Sequence, residues 1–284
     1  MAESRSLATG SFSFAIRTEG GDGVYIESIH NERVRAWSQL KTKKGRLKQG
    51  RFLAEGKRLV AELLNSAYEV DALLWDTGSD EVPFELREHP KTLNKWFELS
   101  PNAFAAVADT TTPQGVIAVA HIPHPAPTIG ARCVLLDGIQ DPGNVGTLLR
   151  TAEAFGYTAV CCGSQTVDPF APKVVRASMG GMFRLDLYTE DSVTFIERWR
   201  RLHPTGRVAV AAAEGSDPCY EANLSGDLLV VIGSEAQGVS VEVRHLADMM
   251  TAIPMAGEAE SLNAAVAGSV LLYESFRQSV DGNR

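Results

Sequence analysis

No apolar run in this chain approaches the roughly 20 residues that a membrane-spanning helix needs, so a bilayer-embedded protein is not expected. The first residues lack the basic, apolar and small-residue sequence of a secretory signal. Cysteine is scarce: Cys133, Cys161, Cys162 and Cys219 all lie in the second half, form no CxxC pair and have no histidine cluster beside them. Buried thiols in a reducing cytoplasm are therefore expected rather than a metal centre. The six histidines are scattered, and no metal-ligand set emerges. No GxGxxG fingerprint of a dinucleotide-binding enzyme is present, which weighs against a dehydrogenase on a doubly wound sheet.

The chain does have 284 residues, 44% of them hydrophobic, which is room for one large or two ordinary domains. Its net charge of −8 conceals a strong asymmetry. Between Ser28 and Arg58 stand ten Lys/Arg and two acids, Glu32 and Glu55; the remainder carries 17 basic and 33 acidic residues. A basic block in an acidic protein is the footprint of phosphate contact, although a solvated helical face has the same composition.

Residues 1–23 are Ser/Gly-rich and are expected to form a mobile tail, with an edge element around Phe12 to Ile16 as the alternative. Asn31 is placed to cap a helix carrying Val34, Trp37 and Leu40. The segment from Lys41 to Gln49, KTKKGRLKQ, is too polar to pack and is expected to be an exposed basic loop. A short strand at RFLAEG follows, then a helix from Lys57 to Asn65 and strands at Val70–Trp75 and Gly115–His121. Three prolines between Ile122 and Gly130 mark a linker. Beyond it, strands at 132–137, 157–162, 184–188, 207–213, 228–232 and 249–254 alternate with helices near 144–155, 171–179, 190–201, 239–247 and 261–279. Alternation of this kind predicts a mostly parallel sheet covered by helices on both faces.

Three loops in this half share one layout, an apolar strand followed by a small or polar turn and a helix start, where backbone groups are open to a ligand. In the first, Asp137 ends a strand, Gln140–Gly143 form a turn, Asn144 is expected at the helix N-cap, Gly146 permits close approach, and Arg150 follows six residues on. A routine cap and a surface arginine would look the same. The second, Gly233-Ser234-Glu235-Ala236-Gln237-Gly238, follows four aliphatics and is no P-loop. In the third, a strand over Thr251 to Met255 breaks into an acidic loop, and Ser261-Leu262-Asn263 opens a long helix.

Taken together, DPGNVGTLLRTAEAFG, IGSEAQGVS and IPMAGEAESLNAAVA resemble, in order and approximate spacing, the three signature motifs of the SpoU/TrmH family of RNA ribose 2′-O-methyltransferases. The similarity spans Val134 to Glu274 and includes PKVVRASMGGMF. The upstream stretch KTKKGRLKQGRFLAEGKRLVAELL is similar to the substrate-binding domain of bacterial rRNA-modifying members. The resemblance implies an α/β fold: a C-terminal trefoil-knotted SPOUT methyltransferase domain (131–284) behind a small α/β ribosomal-protein-like RNA-binding domain (24–122) and the linker 123–130. It implies S-adenosyl-L-methionine as cofactor, no metal, and a homodimer with each active site near the subunit interface. Carried over position by position, Gly233, Gly238, Ile253, Met255, Ser261 and Leu262 would form the cofactor site, and Arg150, Asn144, Glu235 and Asn263 the catalytic set. Ser261 is expected as a cap with a ligand-facing hydroxyl.

Lys41, Lys43, Lys44, Arg46, Lys48 and Arg51 would contact RNA phosphates, which position the RNA without specifying sequence. The family is described with the arginine as base; a guanidinium stays protonated, so an electrostatic role for Arg150 on phosphate and nascent oxyanion is expected instead. Ribosomal RNA, and a 23S guanosine, are the expected target. The alternatives are a tRNA 2′-O-methyltransferase and a non-catalytic ribosome-assembly factor on the same fold.

Overall fold

The computed structural model describes residues 16–17, 24–81, 83–212, 217–258 and 261–281. The tail expected over residues 1–23 lies outside the described residues except for Ile16–Arg17, which form a strand. The first unit runs β1 (Ile16–Arg17), β2 (Val24–Ile26), α1 (Glu32–Gln39), α2 (Lys43–Gln49), β3 (Arg51–Glu55), α3 (Lys57–Leu64), β4 (Val70–Asp76), α4 (Phe84–Arg87), β5 (Trp96–Leu99), α5 (Pro101–Val107) and β6 (Val116–His121). The strands among its described residues order as β1-β2-β5-β4-β6-β3. Asn31 caps α1 by accepting from the Arg33 N–H, as its position before an apolar-periodic segment predicts.

The Lys41–Gln49 segment is not a loop. Thr42 caps α2 by accepting from the Gly45 N–H, and Gly50 closes it in the left-handed region at φ 62°. Gly45 packs so closely that an added Cβ would lie 2.0 Å from the Gln39 carbonyl oxygen. The lysines point to solvent while the helix turns one arginine inward. Polarity misled because a helix of this length is held by its caps and one buried face, not by apolar periodicity.

The second unit runs β7 (Arg132–Asp137), α6 (Pro142–Ala154), β8 (Ala159–Cys162), α7 (Pro172–Ala177), β9 (Asp186–Thr189), α8 (Ser192–Leu202), β10 (Arg207–Ala211), β11 (Asp217–Pro218), β12 (Leu228–Gly233), α9 (Val241–Arg244), β13 (Met249–Ala252) and α10 (Ala264–Asp281). The strand order is β11-β13-β10-β12-β7-β8-β9, and every pairing is parallel. Strands of such a sheet are covered on both faces and read as continuous aliphatic runs; VLL in β7 and LLVVI in β12 are buried throughout. One face packs on α6, α7 and α10 through Leu148, Val174 and Leu272, and the other on α8 and α9 through Phe195, Trp199 and Val243.

The two units share one apolar core. Phe52 and Tyr68 of the first pack in tilted and edge-to-face contacts against Phe170 and Phe183 of the second, with ring centroids 5.2–6.3 Å apart. Three ion-pair clusters surround the junction: Arg46–Asp168 at 2.6 Å, Arg176 with Asp109 at 2.8 Å and Glu55 at 3.8 Å, and Arg184 bridging Glu62 and Glu153.

Candidate active site

Strands β7 and β12 are neighbours in the sheet, with Asp137 paired to Gly233 at their carboxyl ends. From there the chain leaves β7 for α6 on one face and leaves β12 for α9 on the other. A crevice opens where neighbouring parallel strands send their chains to opposite faces, which is where open α/β sheets bind ligands. A cavity of about 420 Å³ lies beside it, at the carboxyl ends of β10, β12 and β13. The volume falls within the ~300–1,000 Å³ usual for small-molecule sites. All six residues carried over for cofactor binding, Gly233, Gly238, Ile253, Met255, Ser261 and Leu262, line it.

The cavity wall depends on two glycines. Ser234 and Gly238 exchange backbone hydrogen bonds at 3.1 and 2.9 Å, closing a tight turn around Glu235–Gln237. Gly238 sits at φ 65°, and a Cβ on Gly233 would lie 2.2 Å from the Gly238 carbonyl carbon. The base of the turn is fixed by Asp137, which accepts from the Ser192 hydroxyl at 2.7 Å and the Ser240 N–H at 2.8 Å. Glu235 thus lies in this turn, and α9 begins only at Val241.

The helix cap expected at Asn144 belongs to Asp141, whose carboxylate accepts from the Asn144 N–H at 2.8 Å, with Pro142 at the first helical position. That frees the Asn144 side chain. Its Nδ2 donates to Glu235, and its Oδ1 accepts from Asn263 Nδ2 at 3.1 Å. Asn263, rather than Ser261, caps α10, accepting from the Ala265 and Val266 N–H groups. One polar cluster therefore joins all three loops. Among the described residues the second Glu235 oxygen has no partner, and a carboxylate oxygen so placed can accept a hydrogen bond from an incoming hydroxyl.

Gly146 serves packing and not ligand approach: a Cβ there would meet Ala177 at 2.3 Å, so it is what lets α7 dock on α6. Arg150 is exposed, makes no hydrogen bond or ion pair among the described residues, and does not line the cavity. Six helical residues turn the chain through one and two-thirds turns, so Arg150 points about 120° away from Asn144. By contrast Arg244, which no motif singled out, does line the cavity.

The basic set divides. Lys43, Lys44 and Lys48 are exposed. Arg46 is not the exposed phosphate contact expected: it is 3% exposed, and its Nε, Nη1 and Nη2 all donate within the protein, to Asp168 and to the Leu40 and Lys41 carbonyls. Lys41 donates to the Ala106 and Ala108 carbonyls, and Arg51 forms an ion pair with Asp71 at 3.3 Å. The four cysteines are buried and unpaired, and burial pushes the Cys133 and Cys162 thiols up to about 12. No metal-ligand cluster occurs among the described residues. A second, open trough of about 960 Å³ lies between the two units near the amino ends of β8 and β9, at the opposite end of the sheet from the cluster.

The model of the SpoU rRNA Methylase family matches residues 131–273, and that of the MRM3-like substrate binding domain matches residues 31–118. The chain belongs to the SpoU rRNA methylase family. It is 35% identical to the 23S rRNA (guanosine(2553)-2′-O)-methyltransferase RlmP of Bacillus subtilis (strain 168), over 87% of this chain and 97% of that one. Identity to the 23S rRNA (uridine(2479)-2′-O)-methyltransferase of Streptomyces viridochromogenes is 31%, over 89% and 92%. The crystal structure of an AdoMet-bound rRNA methyltransferase from Sinorhizobium meliloti superposes with a TM-score of 0.79 at 29% identity, covering 90% of this chain and 98% of that one.

Proposed function

We propose that this SpoU family member methylates the ribose 2′-hydroxyl of one nucleotide in 23S ribosomal RNA, a guanosine, with S-adenosylmethionine as methyl donor. The observation that carries the reading is the hydrogen-bonded union of Asn144, Glu235 and Asn263 beside a cavity walled by Gly233, Gly238, Ile253, Met255, Ser261 and Leu262. The similarity to RlmP over nearly its full length supports rRNA, and supports guanosine within it. An assembly factor without activity would have no need of this cluster.

The cofactor supplies a methyl group already activated on a sulfonium. What remains for the protein is alignment and the making of a nucleophilic hydroxyl. Glu235 offers its unpartnered oxygen to the ribose hydroxyl proton, directly or through one water. Asn144, held by Glu235 and Asn263, fixes that carboxylate. Arg150 binds the neighbouring RNA phosphate and stabilises the developing oxyanion.

A homodimer fits these roles. Val266, Val270, Tyr273, Phe276 and Val280 form an exposed apolar stripe along α10, and Arg150 is exposed and does not line its own chain's cavity. In our reading a second copy docked on α10 covers the stripe and brings its own Arg150 to the cluster. We further propose a trefoil knot formed by the segment between β13 and α10, and a domain boundary at residues 123–130. Lys43, Lys44 and Lys48 are the phosphate contacts. Buried free thiols and the rRNA substrate fit a cytoplasmic enzyme, and no helix among the described residues is long and apolar enough to cross a membrane.

The test is incubation with methyl-labelled S-adenosylmethionine and 23S or transfer RNA, followed by mapping of ribose methylation. Label at one 23S ribose is expected. Transfer to tRNA alone, or no transfer with the cofactor bound, would refute the reading.

A further inference from the structure

The cavity at the carboxyl ends of β10, β12 and β13 has two charged side chains among its described lining residues, Glu235 and Arg244. Glu235 is turned toward Asn144. Arg244 is anchored at its inner nitrogen, Nε donating to the Val239 carbonyl at 2.9 Å. Its terminal nitrogens have no partner among the described residues, and one of them lies against Gly238, 2.9 Å from where a Cβ would stand. A guanidinium locked at Nε with both terminal nitrogens open presents a planar fork, the geometry that suits a carboxylate and that a lysine does not reproduce.

We propose that Arg244 is the residue that holds the carboxylate of the cofactor's amino-acid arm. The inference rests on the reading of this cavity as the S-adenosylmethionine site and adds a specific contact to it. The ligand's charges select the group. Its adenine and ribose are neutral, and its sulfonium and amino groups are cationic and would be repelled by Arg244. The carboxylate is the only anionic part. Anchoring it fixes the far end of the methionine arm, so the arm cannot swing the sulfonium out of line with the ribose oxygen. The turn glycine at 238 then has two functions: it adopts the left-handed conformation and leaves room for the guanidinium.

The experiment is calorimetric titration of the full chain with two ligands, S-adenosylhomocysteine and its decarboxylated analogue, which differ only in the carboxylate. The unmodified protein is expected to bind S-adenosylhomocysteine roughly 10- to 100-fold more tightly than the analogue. In Arg244→Ala that preference disappears, while affinity for the analogue stays the same or improves. Arg244→Gln, which keeps a donor for the Val239 carbonyl, is expected to behave like Arg244→Ala. An equal loss for both ligands would mean that Arg244 only shapes the turn, and no change for either would mean that it does not touch the arm; each overturns the proposal. If neither ligand binds the unmodified protein, the cofactor reading falls, and this proposal with it.

Discussion

Asn144 and Asn263 stand 119 residues apart in sequence and share a hydrogen bond of 3.1 Å. Asn144 binds Glu235 with its other end. The loops after β7 and β12 and the start of α10 are therefore one structural object, held by amide side chains, which do not act as acids or bases. Glu235 is the group with an acceptor to spare.

Glu235→Gln should keep the Asn144 contact in one amide orientation but lose the acceptor charge. Methyl transfer to RNA is expected to fall by about 10²–10⁴-fold, with the dissociation constant for S-adenosylhomocysteine changing less than severalfold. Single-turnover kinetics beside calorimetry would check this; loss of cofactor affinity of the same size would assign Glu235 to binding instead.

Gly233→Ala places a methyl group 2.2 Å from the Gly238 backbone. The turn cannot yield there without breaking the Ser234–Gly238 pair, so cofactor binding should be abolished while far-UV circular dichroism is retained. Ser234→Ala, which removes only the hydroxyl contact to the Gln237 N–H at 3.2 Å, should cost little in the same titration.

The Arg46–Asp168 pair and the exposed lysines of α2 should separate cleanly. Arg46→Ala leaves a largely buried carboxylate without its cation, and a stability loss of about 3–5 kcal/mol is expected in denaturant unfolding. Lys43→Ala, Lys44→Ala and Lys48→Ala together should stay within about 0.5 kcal/mol of the parent. Their signature should be weaker RNA binding with a shallower dependence on salt. An unaltered salt slope would remove α2 from the RNA interface.

Thiol chemistry offers an inexpensive check on the core. With their thiols buried and pushed up from the ordinary cysteine range, the four cysteines should be inert to a thiol-specific chromogenic reagent at pH 8 in the native protein. All four should react in guanidinium chloride. Rapid reaction of a native thiol would contradict the packing of β7 and β8.

On the apolar stripe of α10, Val266→Glu combined with Val270→Glu should convert a species of twice the 30.6 kDa chain mass into one of single mass by light scattering. A parent protein that already runs as a single chain would contradict the dimer.

The sequence made the second unit legible because its strands are short continuous aliphatic runs set between longer helical segments, and run length and the flanking turn residues distinguish the two. What it hid has physical causes. α2 carries three exposed lysines, and its stabilising features, the Thr42 cap, the left-handed Gly50 and the inward Arg46, are single residues without periodicity. Asp141-Pro142 looks like a turn and is also a helix start, so the cap was displaced from Asn144 by three positions, which is what gives Asn144 a free side chain. The six cavity residues were recoverable because each belongs to a motif. Arg244 was not, since it ends a four-residue helix and reaches the cavity only because the turn at Gly238 folds back. Asp137 was visible as a strand end, but its two hydrogen bonds, to residues 55 and 103 positions away, exist only in three dimensions.

The most direct measurement compares ribose-methylation maps of total RNA from a strain lacking this protein, its parent, and the deletion complemented with Arg150→Ala. The account predicts that one 23S 2′-O-methyl group disappears on deletion, returns with the unmodified protein, and does not return with Arg150→Ala. Identical maps in parent and deletion strains, or full restoration by Arg150→Ala, would contradict it.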